Sequence, residues 1–202
     1  MLLEQPTRKR GAGKERILRV LLNHDDEAIT KYRVAKEADV SEPWCREYTQ
    51  KLETEGLLED TTILQPRELY EEWQQVRIEP NQLSVSLQQP MTHLEDTGLE
   101  YALTTYQAEN LLQGLLFTST TDFYISPDDI EAWLNVVETH GLLGGGNTRI
   151  RVLDSHVFYN TQQRNDFCLV STPQLILDLL AEGGPCEEAA TKLIASFHGD
   201  HS

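Results

Sequence analysis

Arg46, Gln50 and Lys51 stand close together in a segment whose side chains can recognise nucleic acid. An arginine can donate two hydrogen bonds to guanine, and a glutamine can pair bidentately with adenine. Lysine contacts phosphates, which positions a protein on the duplex but carries no sequence information. Because Arg46 and Gln50 are four residues apart, a helix would place them on one face. The segment therefore predicts a base-reading helix.

Three short helices and a hairpin are predicted to position these side chains. The apolar residues of segment 17–22 recur at the spacing of an amphipathic helix. Thr30 and Ser41 are suited to begin a second and a third helix, and Gly56 is suited to end the third. Segment 57–64 has the pattern of a short hairpin. This order is that of a winged helix-turn-helix, whose third helix can enter the DNA major groove.

The predicted contacts with DNA extend beyond the third helix. Phosphate contacts are assigned to the second helix and to the basic start of the chain, and further contacts to the start of the third helix and to the hairpin. The candidates are Arg8, Lys9, Arg10, Lys31, Tyr32, Arg33, Ser41, Arg46, Gln50, Lys51, Thr61 and Thr62. Glu42 and Glu47 favour an alternative in which this module contacts only proteins, because both carboxylates would lie close to phosphates.

The charge of the chain is strongly asymmetric. The net charge is −16, yet the first 51 residues carry 11 basic and 9 acidic side chains. Residues 80–202 carry 4 basic and 16 acidic side chains. Basic charge is thus concentrated where the helix-turn-helix is predicted. The acidic remainder would suit a basic partner or a salt-rich cytoplasm, in which a carboxylate-rich surface keeps a protein soluble.

A length of 202 residues suits one large or two small domains. We predict a DNA-binding domain over residues 1–79, ending in a connecting helix that begins at Pro66 and has Trp73 in its core. Pro80 forces an extended link to a second domain over residues 80–202. That domain mixes helices with strands, including strands at 149–153 and 156–159. The predicted fold class is α+β, a winged helix-turn-helix followed by a mixed α+β domain.

The composition indicates a cytoplasmic protein that does not enter membranes. No run approaches the roughly 18 apolar residues that a membrane helix requires, and the start of the chain lacks the order of a signal peptide. The three cysteines are far apart and never form a CxxC motif, which is typical of reduced thiols.

The sequence predicts no catalytic residue, metal ligand or cofactor. Asp178 is expected at the surface of its helix, facing a local donor. One alternative is an enzyme acting on nucleic acid, with Mg²⁺ bound by Asp122, Asp128 and Asp129. Another alternative is a C-terminal domain that senses a small molecule, which predicts a sizeable apolar pocket with a few polar groups. A binding protein is the main expectation.

Several segments together resemble the AbiEi-type antitoxins of type IV toxin–antitoxin systems, a family of winged-helix transcriptional regulators. The segments are YRVAKEADVSEPWCREYTQKLETEGLL, ILQPRELYEEW, YALTTYQAENLL, FYIS, GGNTRIRVLD with HVFY, and TPQLILDLLAEGGPCEEAATKL. The chain departs from the family pattern at Thr105, where the family has glycine, and at Pro185-Cys186, where it has arginine.

The resemblance implies a function as well as a fold. The N-terminal domain would bind inverted repeats in its own promoter, and the C-terminal domain would counteract a nucleotidyltransferase toxin without itself being an enzyme. The DNA contacts carried over by the resemblance are Arg33, Trp44, Arg46, Gln50 and Lys51. Palindromic operators are commonly read by two copies, so a homodimer on double-stranded DNA is a further expectation.

Overall fold

The computed structural model describes residues 3–7, 11–24 and 29–199. Three of the predicted phosphate contacts, Arg8, Lys9 and Arg10, lie outside the described residues. Within the described part of the chain, no helix is both long enough and apolar enough to cross a membrane.

The N-terminal elements follow one another in the predicted order. They are α1 (Ala12–Asn23), α2 (Lys31–Glu37), α3 (Glu42–Thr54), β1 (Leu58–Glu59), β2 (Thr62–Ile63) and α4 (Pro66–Val76). The side chain of Thr30 caps α2 by accepting a hydrogen bond from the backbone N–H of Arg33. Gly56 follows α3 with a φ of +76°, a conformation that glycine adopts without steric cost. Local sequence signals therefore place the ends of these helices.

Apolar stripes on α1 and α4 build the core of this part. Ile17, Leu18 and Leu21 are buried on α1, and Leu69 and Trp73 are buried on α4. The prediction that Trp73 is a core residue is confirmed. The spacing of these side chains is that of helices with one apolar face, which is why α1 and α4 pack together.

The C-terminal elements form a seven-stranded sheet with helices on both faces, so the α+β class is confirmed. Along the sheet the strands are β6 (Gly141–Leu143), β3 (Asn81–Leu87), β7 (Thr148–Val152), β5 (Thr121–Ile125), β4 (Tyr101–Thr104), β9 (Phe167–Leu169) and β8 (Gln162–Arg164). The helices are α5 (Pro90–Asp96), α6 (Thr105–Leu112), α7 (Ile130–His140), α8 (Thr172–Glu182) and α9 (Pro185–His198). Strands β5 and β7 are parallel, as are β4 and β9.

The two faces of the sheet differ in chemistry because successive side chains on a strand point to opposite sides. Phe123 and Ile150 are paired on one face, where Phe123 packs against Trp133 of α7 with ring centroids 5.0 Å apart. Asp122 of β5 and Arg149 of β7 are paired on the other face, which α8 covers. A polar layer therefore lies beneath α8.

The strand predicted at 156–159 is wrong. Residues Ser155–Phe158 form a short 3-10 helix, because the side chain of Asp154 accepts a hydrogen bond from the backbone N–H of His156 and turns the chain. The prediction of a strand at 149–153 agrees with β7. The apolar composition of 156–159 reflects packing against the core and does not reflect a strand.

Buried polar contacts join the two predicted domains. Arg19 of α1 donates to the Gln174 side chain of α8 over 2.9 Å, and Arg77, just beyond α4, lies 3.4 Å from the Asp178 carboxylate. Asp178 is fully buried, so its predicted surface position is wrong. The helix-rich N-terminal part thus rests on α8 and the polar face of the sheet.

Candidate nucleic-acid interface

Helix α3 has one buried and one exposed side. Cys45, Tyr48 and Leu52 are buried at helical spacing, and burial raises the pKa of the Cys45 thiol to about 11, so that it stays protonated. Arg46 and Gln50 are exposed on the opposite side. The exposed side, here called the α3 face, consists of Pro43, Arg46, Glu47, Gln50 and Thr54.

Five of the predicted contacts lie around one open groove of about 380 Å³ beside the α3 face. The groove is formed by the start of α2, by Arg46 and by the hairpin, and its lining residues are Ile29, Thr30, Lys31, Tyr32, Arg46, Asp60, Thr61 and Thr62. We call it the hairpin groove. The Tyr32 side chain is 60 % exposed there, which is unusual for a large aromatic residue. The fold therefore brings together residues that are 33 positions apart in the chain.

The exposed cations of α3 are each held by carboxylates. Arg46 Nη2 lies 2.7 Å from Glu42 Oε1, one helical turn earlier. Lys51 Nζ lies 3.4 Å from Glu55 and 3.0 Å from Glu72 of α4. The hydrogen bond to Glu72 raises the pKa of Lys51. The two cations of α3 that are predicted to contact DNA therefore already have anionic partners within the protein.

Lys31 and Arg33 of α2 are paired in the same way. Lys31 Nζ lies 2.5 Å from Glu53 of α3 and 3.2 Å from Asp60 of the hairpin, and the hydrogen bond to Glu53 raises its pKa. The side chain of Lys31 is only 16 % exposed, so it ties α2 to α3 and to the hairpin. Arg33 Nε lies 2.6 Å from Glu37 within α2.

Two predicted contacts, Thr61 and Trp44, also have structural roles. The Thr61 side chain is buried, and its hydroxyl donates to the carbonyl oxygen of Ile29 over 2.5 Å. The Trp44 ring stacks on Tyr48 with centroids 6.1 Å apart and lies against the α1 backbone, where a Cβ at Gly13 would come within 2.7 Å of it. Both side chains are used in packing because they sit where the hairpin or α1 meets its neighbour.

Three further predicted contacts, Ser41, Gln50 and Thr62, are accessible. Ser41 is the exposed residue before α3, and its hydroxyl makes no capping hydrogen bond. Thr62 and Gln50 are also exposed.

Lys36 is a cation on α2 that the sequence reasoning missed. It is exposed, and none of the described carboxylates lies within ion-pair distance of it. The sequence could have indicated Lys36 as a candidate contact, since it lies in the same short helix as Lys31 and Arg33. We add Lys36 to the candidate interface.

The carboxylates of the Mg²⁺ alternative are not brought together. Asp122 is fully buried and accepts hydrogen bonds from Arg149 Nε at 2.8 Å and Arg151 Nη2 at 3.0 Å. Asp128 and Asp129 belong to the 3-10 turn that precedes α7. Across residues 3–7, 11–24 and 29–199, no group of three acidic, histidine or cysteine side chains could hold a metal ion.

Two grooves elsewhere bear on the small-molecule alternative. One of about 420 Å³ lies between α4 and α9 and is lined by Arg67, Glu71, Glu187 and Glu188 among others. Another of about 390 Å³ lies beside α1 and includes Arg16, Asp39 and Asp154. The groove between α4 and α9 is lined mainly by polar and charged side chains, unlike the apolar pocket that the alternative predicts. The groove beside α1 combines its charged side chains with the apolar ones of Val40, Ile78 and Leu153.

Comparisons with protein families, with curated proteins and with solved structures find no match for this chain.

Proposed function

We propose that this chain is a DNA-binding transcriptional regulator in which α2 and α3 form a helix-turn-helix and β1–β2 forms its wing. The observation that carries the proposal is the hairpin groove, where Tyr32, Arg46 and Thr62 from three separate elements border one concave surface. Arg46 and Gln50 on the adjoining α3 face have the donor groups that read guanine and adenine.

The proposal is tested by retention of a labelled duplex from the DNA immediately upstream of the chain's own coding sequence. We expect Arg46→Ala with Gln50→Ala to weaken specific binding about thirtyfold or more, since each of the two bidentate base contacts contributes about 1–3 kcal/mol. Arg164→Ala is the matched control, because Arg164 is an exposed arginine on the edge strand β8. If the double variant and the control bind equally well, α3 does not read the DNA.

The resemblance to AbiEi-type antitoxins extends the proposal to the C-terminal part. In this proposal the regulator represses its own promoter, and residues 80–202 counteract a nucleotidyltransferase toxin while performing no chemistry themselves. Co-expression with a nucleotidyltransferase encoded next to the gene tests this role. We expect the chain to restore growth to cells that express the nucleotidyltransferase, and continued growth arrest would contradict the antitoxin role while leaving the regulator.

A further inference from the structure

The exposed cations of α3 form ion pairs with carboxylates of the protein, unlike the cations of an ordinary basic DNA-binding surface. This difference changes how DNA binding responds to salt concentration. Arg46 and Glu42 are both exposed to solvent, at 58 % and 40 % of their side chains. Lys51 and Glu55 are exposed at 46 % and 43 %. In both pairs the carboxylate belongs to α3 itself, so it stays beside the cation when the helix approaches DNA.

The other two pairs are held more firmly. Lys31 is mostly buried between Glu53 and Asp60. Glu37, the partner of Arg33, also accepts a hydrogen bond from the Tyr159 hydroxyl of the C-terminal part. Arg46–Glu42 is therefore the pair that exchanges partners most easily. Lys51–Glu55 follows it, because Lys51 is also held by Glu72 of α4 over 3.0 Å, and the Glu72 side chain is only 11 % exposed.

Ordinary basic surfaces bind DNA by releasing the cations condensed on the phosphates. The logarithm of the binding constant then falls with the logarithm of salt concentration by about 0.9 for each phosphate neutralised, so four contacts give a slope of about −3.6. This relation assumes that the protein cations have no anionic partner of their own to give up.

Here a phosphate that binds Arg46 or Lys51 must displace a carboxylate. The displaced Glu42 or Glu55 remains close to the phosphate, and two like charges in proximity require neutralisation by cations from the solution. Uptake of cations by the protein then offsets their release from the DNA. The salt dependence of binding is reduced by each exchange of this kind.

We propose that this protein binds DNA by exchanging its own ion pairs, with Glu42 and Glu55 setting both the affinity and its response to salt. The inference rests on the proposed DNA-binding function. It makes the binding of DNA less dependent on salt concentration than binding by four unpaired cations, and it gives Glu42 and Glu55 a role in binding DNA.

The test measures binding by fluorescence anisotropy of a labelled duplex from the upstream DNA, between 0.1 and 2 M KCl. We expect the wild-type slope to lie between about −2.7 and −1.8, because exchange at Arg46 and Lys51 offsets one or two of four phosphate contacts, against about −3.6 for four unpaired cations. We expect Glu42→Gln to steepen the slope by about 0.9, which amounts to about eightfold tighter binding at 0.1 M if the curves meet at 1 M. Glu55→Gln should steepen it less, because Lys51 keeps its closer partner Glu72.

Glu188→Gln is a closely matched control. Glu188 lies 2.8 Å from Lys192 in an exposed pair with the same four-residue spacing on α9, in the C-terminal part of the chain. The substitution removes the same charge from the same kind of pair. A slope change in Glu42→Gln and Glu55→Gln but not in Glu188→Gln supports local exchange, and an equal change in all three would assign the effect to overall charge and overturn the inference.

The failure of this inference can be told apart from the failure of the proposed function. A wild-type slope near −3.6 that Glu42→Gln and Glu55→Gln leave unchanged would overturn ion-pair exchange while the DNA-binding function stands. No binding of the duplex by the wild type at any KCl concentration would overturn both. Thermal melting of each variant shows whether it is folded, and the two glutamate variants are independent of each other in this respect.

Discussion

Ion pairs between arginine and carboxylate side chains occur in two regions of this molecule, where they have different roles. On the exposed side of α3, Arg46 and Glu42 form a pair in which both side chains are exposed to solvent. Beneath α8, Asp122 is completely buried and is held by Arg149 and Arg151 from the neighbouring strand. Exposed pairs contribute little to stability because water screens them, whereas a buried charge that loses its partner is costly. Environment decides whether an ion pair is exchangeable or structural.

The buried region also joins the two predicted domains. The Asp178 carboxylate accepts hydrogen bonds from Thr104 at 2.7 Å, Tyr124 at 3.0 Å and Gln174 at 3.2 Å, and it faces Arg77. Donors from β4, β5, α8 and the end of α4 therefore meet at one side chain. This convergence fixes the position of the N-terminal part, and hence of α3, on the sheet.

The largest effect is expected from removing that shared acceptor. Asp178→Ala leaves the buried donors of Thr104, Tyr124 and Gln174 without their acceptor, and it leaves Arg77 with only the exposed carboxylate of Glu79. We expect a loss of about 3–5 kcal/mol in the free energy of unfolding. Urea unfolding at equilibrium measures it. Glu188→Ala, which breaks an exposed pair, should cost less than about 1 kcal/mol.

A comparable cost for Asp178→Ala and Glu188→Ala would remove the distinction between the two regions. Should Asp178→Ala fail to fold, Asp178→Asn retains the size and one acceptor oxygen of the side chain. It should then unfold at a lower urea concentration than the wild type.

An intermediate effect is expected from pH, through His156 at the junction of α1, α2 and the short 3-10 helix. Burial, with the nearby Arg19 guanidinium, lowers the pKa of His156 to about 4. Because an arginine can only donate, the ring nitrogen Nδ1 accepts from Arg19 at 3.0 Å, and Nε2–H donates to the carbonyl oxygen of Glu37 at 2.9 Å. The neutral ring fits both partners, and a protonated ring does not.

The sign of the pH effect follows from this lowered pKa. Between about pH 6.5 and 4 the unfolded chain binds a proton at His156 and the folded chain does not, so stability is complete above about pH 6.5 and falls on acidification. We expect His156 to account for a loss of about 2–3 kcal/mol over that range. Between about pH 7.5 and 4.5, the urea midpoint should fall less steeply for His156→Gln than for the wild type. Parallel profiles of the two chains would show that the ring binds a proton as readily in the folded chain as in the unfolded chain.

The sequence predicts the N-terminal elements well because their signals are local. The cap at Thr30 reaches three residues ahead, and Gly56 alone permits the turn after α3. The partners of the candidate contacts are not local. Lys51 meets Glu72, which lies 21 residues further along the chain, and Asp178 meets Arg77 across 101 residues. Packing of α4 against α3 and of α8 against the sheet creates these pairs, and no periodicity in the sequence predicts them.

The backbone conformation of Thr105 is another feature that such local signals do not predict. Thr105 has a φ of +47°, in the region that favours glycine. The Thr105 hydroxyl donates to the buried Asp122 carboxylate over 2.5 Å. A hydrogen bond within the buried charge cluster thus accompanies a backbone conformation that is unfavourable for a β-branched residue.

The smallest effect concerns the exposed pair itself. A double-mutant cycle with Arg46→Ala, Glu42→Ala and both together should give a coupling energy of about 0.3–0.5 kcal/mol, as for other exposed pairs four residues apart on a helix. Urea unfolding in low salt measures the four chains, and Lys192→Ala with Glu188→Ala provides the reference pair on α9. A weak coupling means that phosphate can displace Glu42 at little cost. A coupling above about 2 kcal/mol would be typical of a desolvated pair. Arg46 would then resemble the buried arginines of the sheet, and phosphate would not displace Glu42 from it easily.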